Sequence, residues 1–379
     1  MSKVFAIVAG EASGDQLGAP LIKELKNRYP DAKFIGIGGD KMIAQGFESL
    51  FDMERLSVMG LFEVLSRLPE LLKIRKTLKE YFIANPPDVF IGIDAPDFNL
   101  PLAKMLKNKG IKTVHYVCPS VWAWREKRVE KIKKSVDTML CLLPFEVGFC
   151  NQYNLNAKFV GHTLADKIHI EKQTYKARKE LAIDSEGHVL CMMPGSRQSE
   201  IKRMAPLFIA AVNLIQTEVE NLQVIIPVAN NKRKIELLTY LKVANFEYQI
   251  IHQNSIQALS AANVALITSG TAALEAMLCK TPMVVSYKAN PLTYKIISRL
   301  LTIKHVSLPN IIANKPIVKE LIQDNATLEK IKNEMLYIMD NQVQITQIKA
   351  FTLLHKSLIA QADVQAANAI DQLIHLTSV

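Results

Sequence analysis

Val189-Leu190-Cys191-Met192-Met193-Pro194-Gly195-Ser196-Arg197-Gln198-Ser199-Glu200-Ile201 is the stretch on which the reading of this chain turns. An unbroken apolar run ends in Pro-Gly-Ser, and polar residues then open a helix. Such a run reads as a strand buried on both faces, as in a parallel sheet. Gly195 permits a tight turn or a close approach to a ligand, and Ser196 is a natural helix cap. The helix N-terminus offers N–H groups and a positive dipole end to an anion. Arg197 adds a fork of donors suited to phosphate oxygens. The expectation is a diphosphate site. The plain alternative is an ordinary strand-to-helix turn with a surface arginine.

Outward from this stretch the rhythm repeats. Apolar runs at 222–228, 248–251, 264–268 and 283–287 follow it, with helical spacing between them. The first half has the same alternation, with strands expected at 4–9, 33–37, 89–93, 112–117, 138–143 and 158–160 and a first helix at 16–28. Alternating strands and helices predict an α/β fold of two Rossmann-like, doubly wound parallel domains, facing one another across a central cleft. Residues 165–187 are polar with little strand character and read as the link. The expected domains are 1–165 and 166–346, followed by one C-terminal helix over 347–374 whose packing the sequence leaves open.

The chain has 379 residues, half of them apolar, and a net charge of +10, with a pI near 9.2. That balance suits a phosphorylated substrate or an anionic membrane surface. Nucleic acid is disfavoured, because no basic run is interleaved with aromatics. The five cysteines are scattered without a C-x-x-C pair and read as reduced thiols, neither disulfides nor zinc ligands. The apolar part of the N-terminus is short for a signal peptide, and no apolar run reaches the ~20 residues that span a bilayer.

Polar residues cluster just past the expected strand ends, where ligands gather in doubly wound folds. Gly10, Glu11, Ala12, Ser13, Gly14 and Asp15 follow the first strand without G-x-G-x-x-G spacing. Asp94 and Asp97 follow the third. Either can serve as general base on a sugar hydroxyl, and Asp97 can equally cap a helix. His115, Trp122, Trp124 and Arg125 surround the fourth, as a sugar floor or as aromatics packed on a domain face. Ser269, Gly270 and Thr271 form a second anion-type turn. With Thr271 as cap, Glu275 falls one residue beyond the capping-box position and is free for ribose hydroxyls; a surface glutamate is the alternative. Residues 58–78 carry two apolar stripes, one through Val58, Leu61, Phe62, Leu65, Leu68 and Leu72, the other through Val64, Leu71, Ile74 and Leu78. One can serve the core. The other, beside Arg67, Lys73, Arg75 and Lys76, can enter a lipid interface, or be a second buried face or a dimer contact. Pro69 is expected to divide the segment into two helices. D-x-D, H-E-x-x-H, Walker A and G-x-S-x-G patterns do not occur.

Taken in order, several segments carry a resemblance: 9–15 (Ala-Gly-Glu-Ala-Ser-Gly-Asp), 92–99, 116–125, 143–146, 160–166, 193–197, 269–275 and 306–310. Together they resemble the lipid-A-disaccharide synthases, inverting glycosyltransferases of GT-B type. The resemblance implies transfer of 2,3-diacylglucosamine from UDP-2,3-diacylglucosamine to the 6-hydroxyl of 2,3-diacylglucosamine 1-phosphate, giving a β-1,6 disaccharide and UDP without metal or cofactor. It implies Asp94 as base and Arg197 as diphosphate clamp. Gly195, Ser196, Ser269, Gly270, Thr271 and Asn310 would sit beside the nucleotide, with Glu275 on ribose. Ser13, Asp97, Trp124, Arg125 and His162 would line the acceptor side. It implies an N-terminal acceptor domain that docks on the cytoplasmic face of the inner membrane through Phe62, Val64, Leu65, Leu68, Leu71 and Leu72. The C-terminal domain would hold the UDP-sugar. A second copy of the chain remains an open partner. Cys118 departs from the serine expected there. Rivals are a UDP-N-acetylglucosamine 2-epimerase, a peptidoglycan glycosyltransferase, an NAD-dependent oxidoreductase, and a non-catalytic lipid-surface binder.

Overall fold

The computed structural model describes residues 2–56, 61–184, 186–290, 294–295 and 298–375, excepting the side chains of 61–66. The chain divides into two compact units, Met1–Asp166 with Leu358–Val379, and Lys167–Ser357.

The N-terminal unit runs β1 (Val4–Ala9), α1 (Ala12–Arg28), β2 (Lys33–Ile37), α2 (Asp40–Ile43), β3 (Glu48–Ser49), α3 (Leu61–Ala84), β4 (Val89–Ile93), α4 (Pro96–Lys107), β5 (Lys112–Tyr116), α5 (Val129–Lys133), β6 (Thr138–Cys141), α6 (Pro144–Gln152), β7 (Ala157–Phe159) and α7 (Thr163–Lys167). Its sheet order is β3-β2-β1-β4-β5-β6-β7, every pairing parallel. Strands covered on both faces must be apolar throughout, and every residue of β4 (VFIGI) is buried. The order reverses between β1 and β4, which sets the switch point there.

The C-terminal unit runs α8 (Thr174–Leu181), β8 (His188–Met193), α9 (Gln198–Ile215), β9 (Leu222–Val228), α10 (Asn231–Leu241), β10 (Tyr248–His252), α11 (Ser255–Ala261), β11 (Val264–Thr268), α12 (Thr271–Leu278), β12 (Met283–Tyr287), α13 (Leu308–Ala313), β13 (Lys319–Ile322), α14 (Leu328–Ile338) and α15 (Asn341–Leu358). Its order is β10-β9-β8-β11-β12-β13, again all parallel, with the switch point between β8 and β11. The stretch read first is thus β8 and the start of α9.

Two expectations are corrected. The C-terminal segment is two helices, α15 and α16 (Ala362–His375). Gln361 takes a left-handed φ of 57°, and the Asp166 carboxylate accepts from the N–H groups of Ala360, Gln361 and Ala362. That carboxylate starts α16, whose Ala366, Ala367 and Ile370 join the N-terminal core. Secondly, Pro69 does not divide α3, which continues through it. A proline inside a helix costs about 3 kcal/mol. Burial of Ile74, Leu78 and Phe82 downstream, at about 1.5–3 kcal/mol each, outweighs that.

The buried Ile74 and Leu78 assign one α3 stripe to the core. On the other, Leu68 is 42% and Leu72 45% exposed, with Lys73 and Lys76 exposed beside them; Leu71, which shares the stripe of Ile74 and Leu78, is half-buried. Val58 and the side chains of Leu61, Phe62, Val64 and Leu65 lie outside the described residues. Among the described residues no helix is long and apolar enough to cross a membrane.

Candidate functional site

In the C-terminal unit a cavity of about 550 Å³ opens at the carboxyl ends of β8, β9, β10 and β11. Gly195, Ser196 and Arg197 from the β8 loop and Ser269, Gly270 and Thr271 from the β11 loop line it, together with Glu275. These are the switch-point loops, so the fold itself brings the two anion-type turns together.

The local chemistry differs from the expected turn. Arg197, not Ser196, is the N-cap residue of α9. Glu200 reaches back to accept from the N–H groups of Ser196 (3.0 Å) and Arg197 (3.2 Å), a capping-box reach. Those backbone donors are therefore occupied. The Arg197 guanidinium is mostly exposed and only 3.5 Å from Glu200, so the side chain is what this loop offers an anion. Gly195 is required: its φ is 125°, and a Cβ there would meet the Glu200 Cβ at 2.4 Å. At the other loop Gly270, not Thr271, is the N-cap, and α12 has no side-chain cap. Thr271 and Ala272 of its first turn line the cavity, which makes this helix start the better anion site.

Glu275 sits one turn further on, where the Ser255 hydroxyl donates to its Oε2 at 2.7 Å. Burial pushes its carboxyl above the ordinary value, partly offset by that bond. Thr268, also lining the cavity, is buried, and among the described residues its hydroxyl has no hydrogen-bond partner. Ser255 and Thr268 were not singled out from sequence. Both follow the strand-end rule, since they close β11 and follow β10.

Asn310 is not available to a ligand. Its amide donates to Val318 O and Glu320 Oε1, and its Oδ1 accepts from Ile317 and Val318 N–H. It is buried and saturated, pinning α13 to β13.

At the N-terminal switch point the β1 and β4 loops touch, such that a Cβ on Gly10 would lie 2.8 Å from that of Ala95. Asp94 and Ala95 both take left-handed φ values, 50° and 42°. Each costs of order 1–3 kcal/mol in a non-glycine residue. Asn99, buried on α4, holds them by donating to the carbonyls of Val8 (3.1 Å) and Asp94 (2.8 Å). Burial raises the Asp94 carboxyl above its ordinary value, partly countered by a backbone bond from Ala95. That direction suits a base. Asp97 is a different group: its side chain is 87% exposed and bound to Arg128 at 2.9 Å. It is a surface ion pair in the first turn of α4, not a base.

Ser13 is exposed in the first turn of α1. The neighbouring Asp15 is structural, its carboxylate accepting from Gly39, Lys41 and Met42 N–H at the start of α2. Trp122 is buried edge-on to Phe145 with its indole N–H on Glu146. Trp124 is 36% exposed, and the Arg125 guanidinium lies 4.0 Å over its ring. His162 accepts from Leu164 N–H at Nδ1, which places its proton on Nε2. Burial lowers its pKa to about 4, so it is neutral at pH 7. Three of the five cysteines, far apart in sequence, converge: the sulfurs of Cys118, Cys141 and Cys150 lie within 4.8 Å of one another and are buried, the one such ligand-type cluster among the described residues.

Two doubly wound parallel sheets, each with polar loops at its switch point, are the fold shared by GT-B glycosyltransferases and nucleotide-sugar epimerases. The Staphylococcus aureus MnaA–UDP co-structure superposes with a TM-score of 0.67 at 12% identity, over 100% of this chain and 98% of that one. The Acinetobacter baumannii MurG structure gives 0.61 at 13%, over 98% and 100%. At such identities the likeness shows the fold. The sequence goes further: the family model described as lipid-A-disaccharide synthetase matches residues 5–372. The lipid-A-disaccharide synthase of Alteromonas mediterranea is 47% identical over 379 residues, 98% of each chain. The chain belongs to the lipid-A-disaccharide synthetase family, and is a glycosyltransferase enzyme.

Proposed function

We propose that this enzyme transfers 2,3-diacylglucosamine from UDP-2,3-diacylglucosamine to the 6-hydroxyl of 2,3-diacylglucosamine 1-phosphate, with inversion and without a metal ion. The observation that carries the reading is the pair of switch points, one with a strained, half-buried carboxylate and the other with an anion-type cavity.

Asp94 takes the proton of the acceptor hydroxyl as its oxygen bonds to the anomeric carbon of the donor. The bond from that carbon to the UDP oxygen breaks, and UDP leaves with the electron pair. One displacement by a hydroxyl inverts the centre, giving the β-linkage. The leaving diphosphate is stabilised by the uncapped N-terminus of α12 and by the Arg197 guanidinium. Glu275, oriented by Ser255, accepts from the ribose hydroxyls. Fixed N–H dipoles and a guanidinium replace the cation that a D-x-D motif would hold.

The N-terminal unit, residues 1–166 with 358–379, takes the acceptor, and 167–357 takes the nucleotide. Trp124, Arg125, Ser13 and His162 supply the polar surroundings of the acceptor sugar. The exposed Leu68 and Leu72 with their lysines rest on the cytoplasmic face of the inner membrane.

The test is incubation of full-length protein with both lipids in neutral detergent plus EDTA, read by mass spectrometry and by the anomeric coupling constant of the product. A tetraacyl disaccharide 1-phosphate with a β-linkage and free UDP is expected. Product only on restoring a divalent cation, or an α-linkage, contradicts the mechanism. Conversion of UDP-N-acetylglucosamine instead contradicts the substrate.

A further inference from the structure

We propose that a groove in the N-terminal unit, distinct from the Asp94 loop, binds the phosphate monoester of the acylated acceptor. This rests on the reading of Asp94 as the base for that acceptor.

The groove has a volume of about 500 Å³ and begins at Pro96 and Asp97, two and three residues beyond Asp94. Its apolar lining includes Leu100, Pro101, Val121 and Ile132, and its cations are Lys104, Arg128, Lys131 and Lys134. Sequence spacing explains the convergence. Arg128, Lys131 and Lys134 recur every three residues along α5 and its flanks, which stacks them on one helical face. Ile132, beside that face, is buried at the groove's apolar wall, and Val129 is buried further round the helix. Lys104 comes from α4.

The charges do not cancel. Among the described residues Asp97 is the groove's one carboxylate, and Arg128 already neutralises it. Among the described residues Lys104, Lys131 and Lys134 have no carboxylate within 4 Å, and all three are exposed. Three uncompensated ammonium groups around apolar walls suit a phosphate monoester, which carries about −1.5 to −2 at pH 7, attached to an acylated body. Among the described residues the groove has no aromatic side chain on which a nucleobase would stack. A sugar whose 6-hydroxyl reaches Asp94 carries its 1-phosphate on the other side of the ring oxygen, one ring's breadth away, where a neighbouring cationic groove would receive it.

The test is direct binding of 2,3-diacylglucosamine 1-phosphate to full-length protein in neutral detergent, by calorimetry. Lys131→Gln with Lys134→Gln is expected to weaken binding at least tenfold, and Lys131→Arg with Lys134→Arg to preserve it. The same sugar without its phosphate is expected to bind wild type and the glutamine variant equally. Unchanged affinity in the glutamine variant, or an equal loss for the dephosphorylated sugar, overturns the assignment. So does a loss seen only on vesicles of anionic lipid, which would make the lysines a leaflet contact. Turnover separates this from the parent reading. Phosphate-dependent binding without disaccharide formation would sink that reading and leave the groove standing. Turnover with binding indifferent to both lysines would sink the groove alone.

Discussion

The side-chain amide of Asn99 donates to the backbone carbonyl of Asp94 at 2.8 Å, while the backbone there sits in the left-handed region. The same amide reaches the carbonyl of Val8 at the end of β1. Asn99 therefore ties both strand ends at the switch point and holds Asp94 in its strained geometry. Asn99→Ala leaves buried carbonyls unpaired, at about 1–3 kcal/mol. The expected result is a melting temperature lowered by several degrees and a kcat reduced at least tenfold, with the donor KM unchanged. Steady-state kinetics beside thermal melts check this. A loss of stability without a change in kcat would make Asn99 merely structural.

Gly195→Ala combines two faults, a left-handed φ and a clash with Glu200. The β8 loop must shift, carrying Arg197 with it. Strain of about 1–3 kcal/mol corresponds to a 5- to 150-fold loss of UDP affinity. Calorimetric titration of UDP reads this directly, and wild-type affinity would show that the loop does not hold the nucleotide.

Glu275 and Ser255 form one unit, the hydroxyl orienting the carboxylate. With ribose as its partner, Glu275→Gln should bind UDP at least tenfold more weakly and lose most discrimination between UDP and 2′-deoxy-UDP. Ser255→Ala should do the same more mildly. Competition binding with the two nucleotides is the check, and retained discrimination in Glu275→Gln would remove its role on ribose.

His115 is fully buried and, among the described residues, neither ring nitrogen has a hydrogen-bond partner; burial drives its pKa down to about 3. The unfolded chain takes up a proton near pH 6.5 that the folded chain refuses. Folded stability is therefore complete above 6.5 and falls as pH drops from there toward 3. Between pH 7 and pH 5 the loss is about 2 kcal/mol. His115→Leu should flatten that part of the pH dependence in denaturant melts. An unchanged slope would show that His115 is not its source.

Leu68 and Leu72 stand exposed beside lysines on α3. Leu68→Asp with Leu72→Asp should reduce sedimentation with anionic vesicles at least tenfold, while UDP binding is untouched. Equal vesicle binding would remove α3 from the membrane reading.

The strands were legible because β1, β4, β8 and β11 are buried on both faces and so read as unbroken apolar runs. β13 was not, because Lys319 and Glu320 at a sheet edge break the pattern. The break before α16 was hidden because its capping carboxylate, Asp166, comes from far away in the chain. At the site, the two turns and Glu275 were found from spacing and strand ends. What spacing cannot tell is which polar groups are already spent. Glu200 occupies the N–H groups offered to a phosphate, Asn310 is saturated within its own unit, and Asp15 serves α2. These are tertiary facts. Asn99 was visible as a motif residue, but its hold on Asp94 needed the fold.

The central claim is that Asp94 removes the acceptor proton. Its most direct test is formation of the tetraacyl disaccharide 1-phosphate by wild type and Asp94→Asn, with UDP affinity measured on both. General-base removal predicts a loss of about 10²- to 10⁴-fold in kcat with UDP affinity unchanged. An Asp94→Asn enzyme that turns over within threefold of wild type would contradict it.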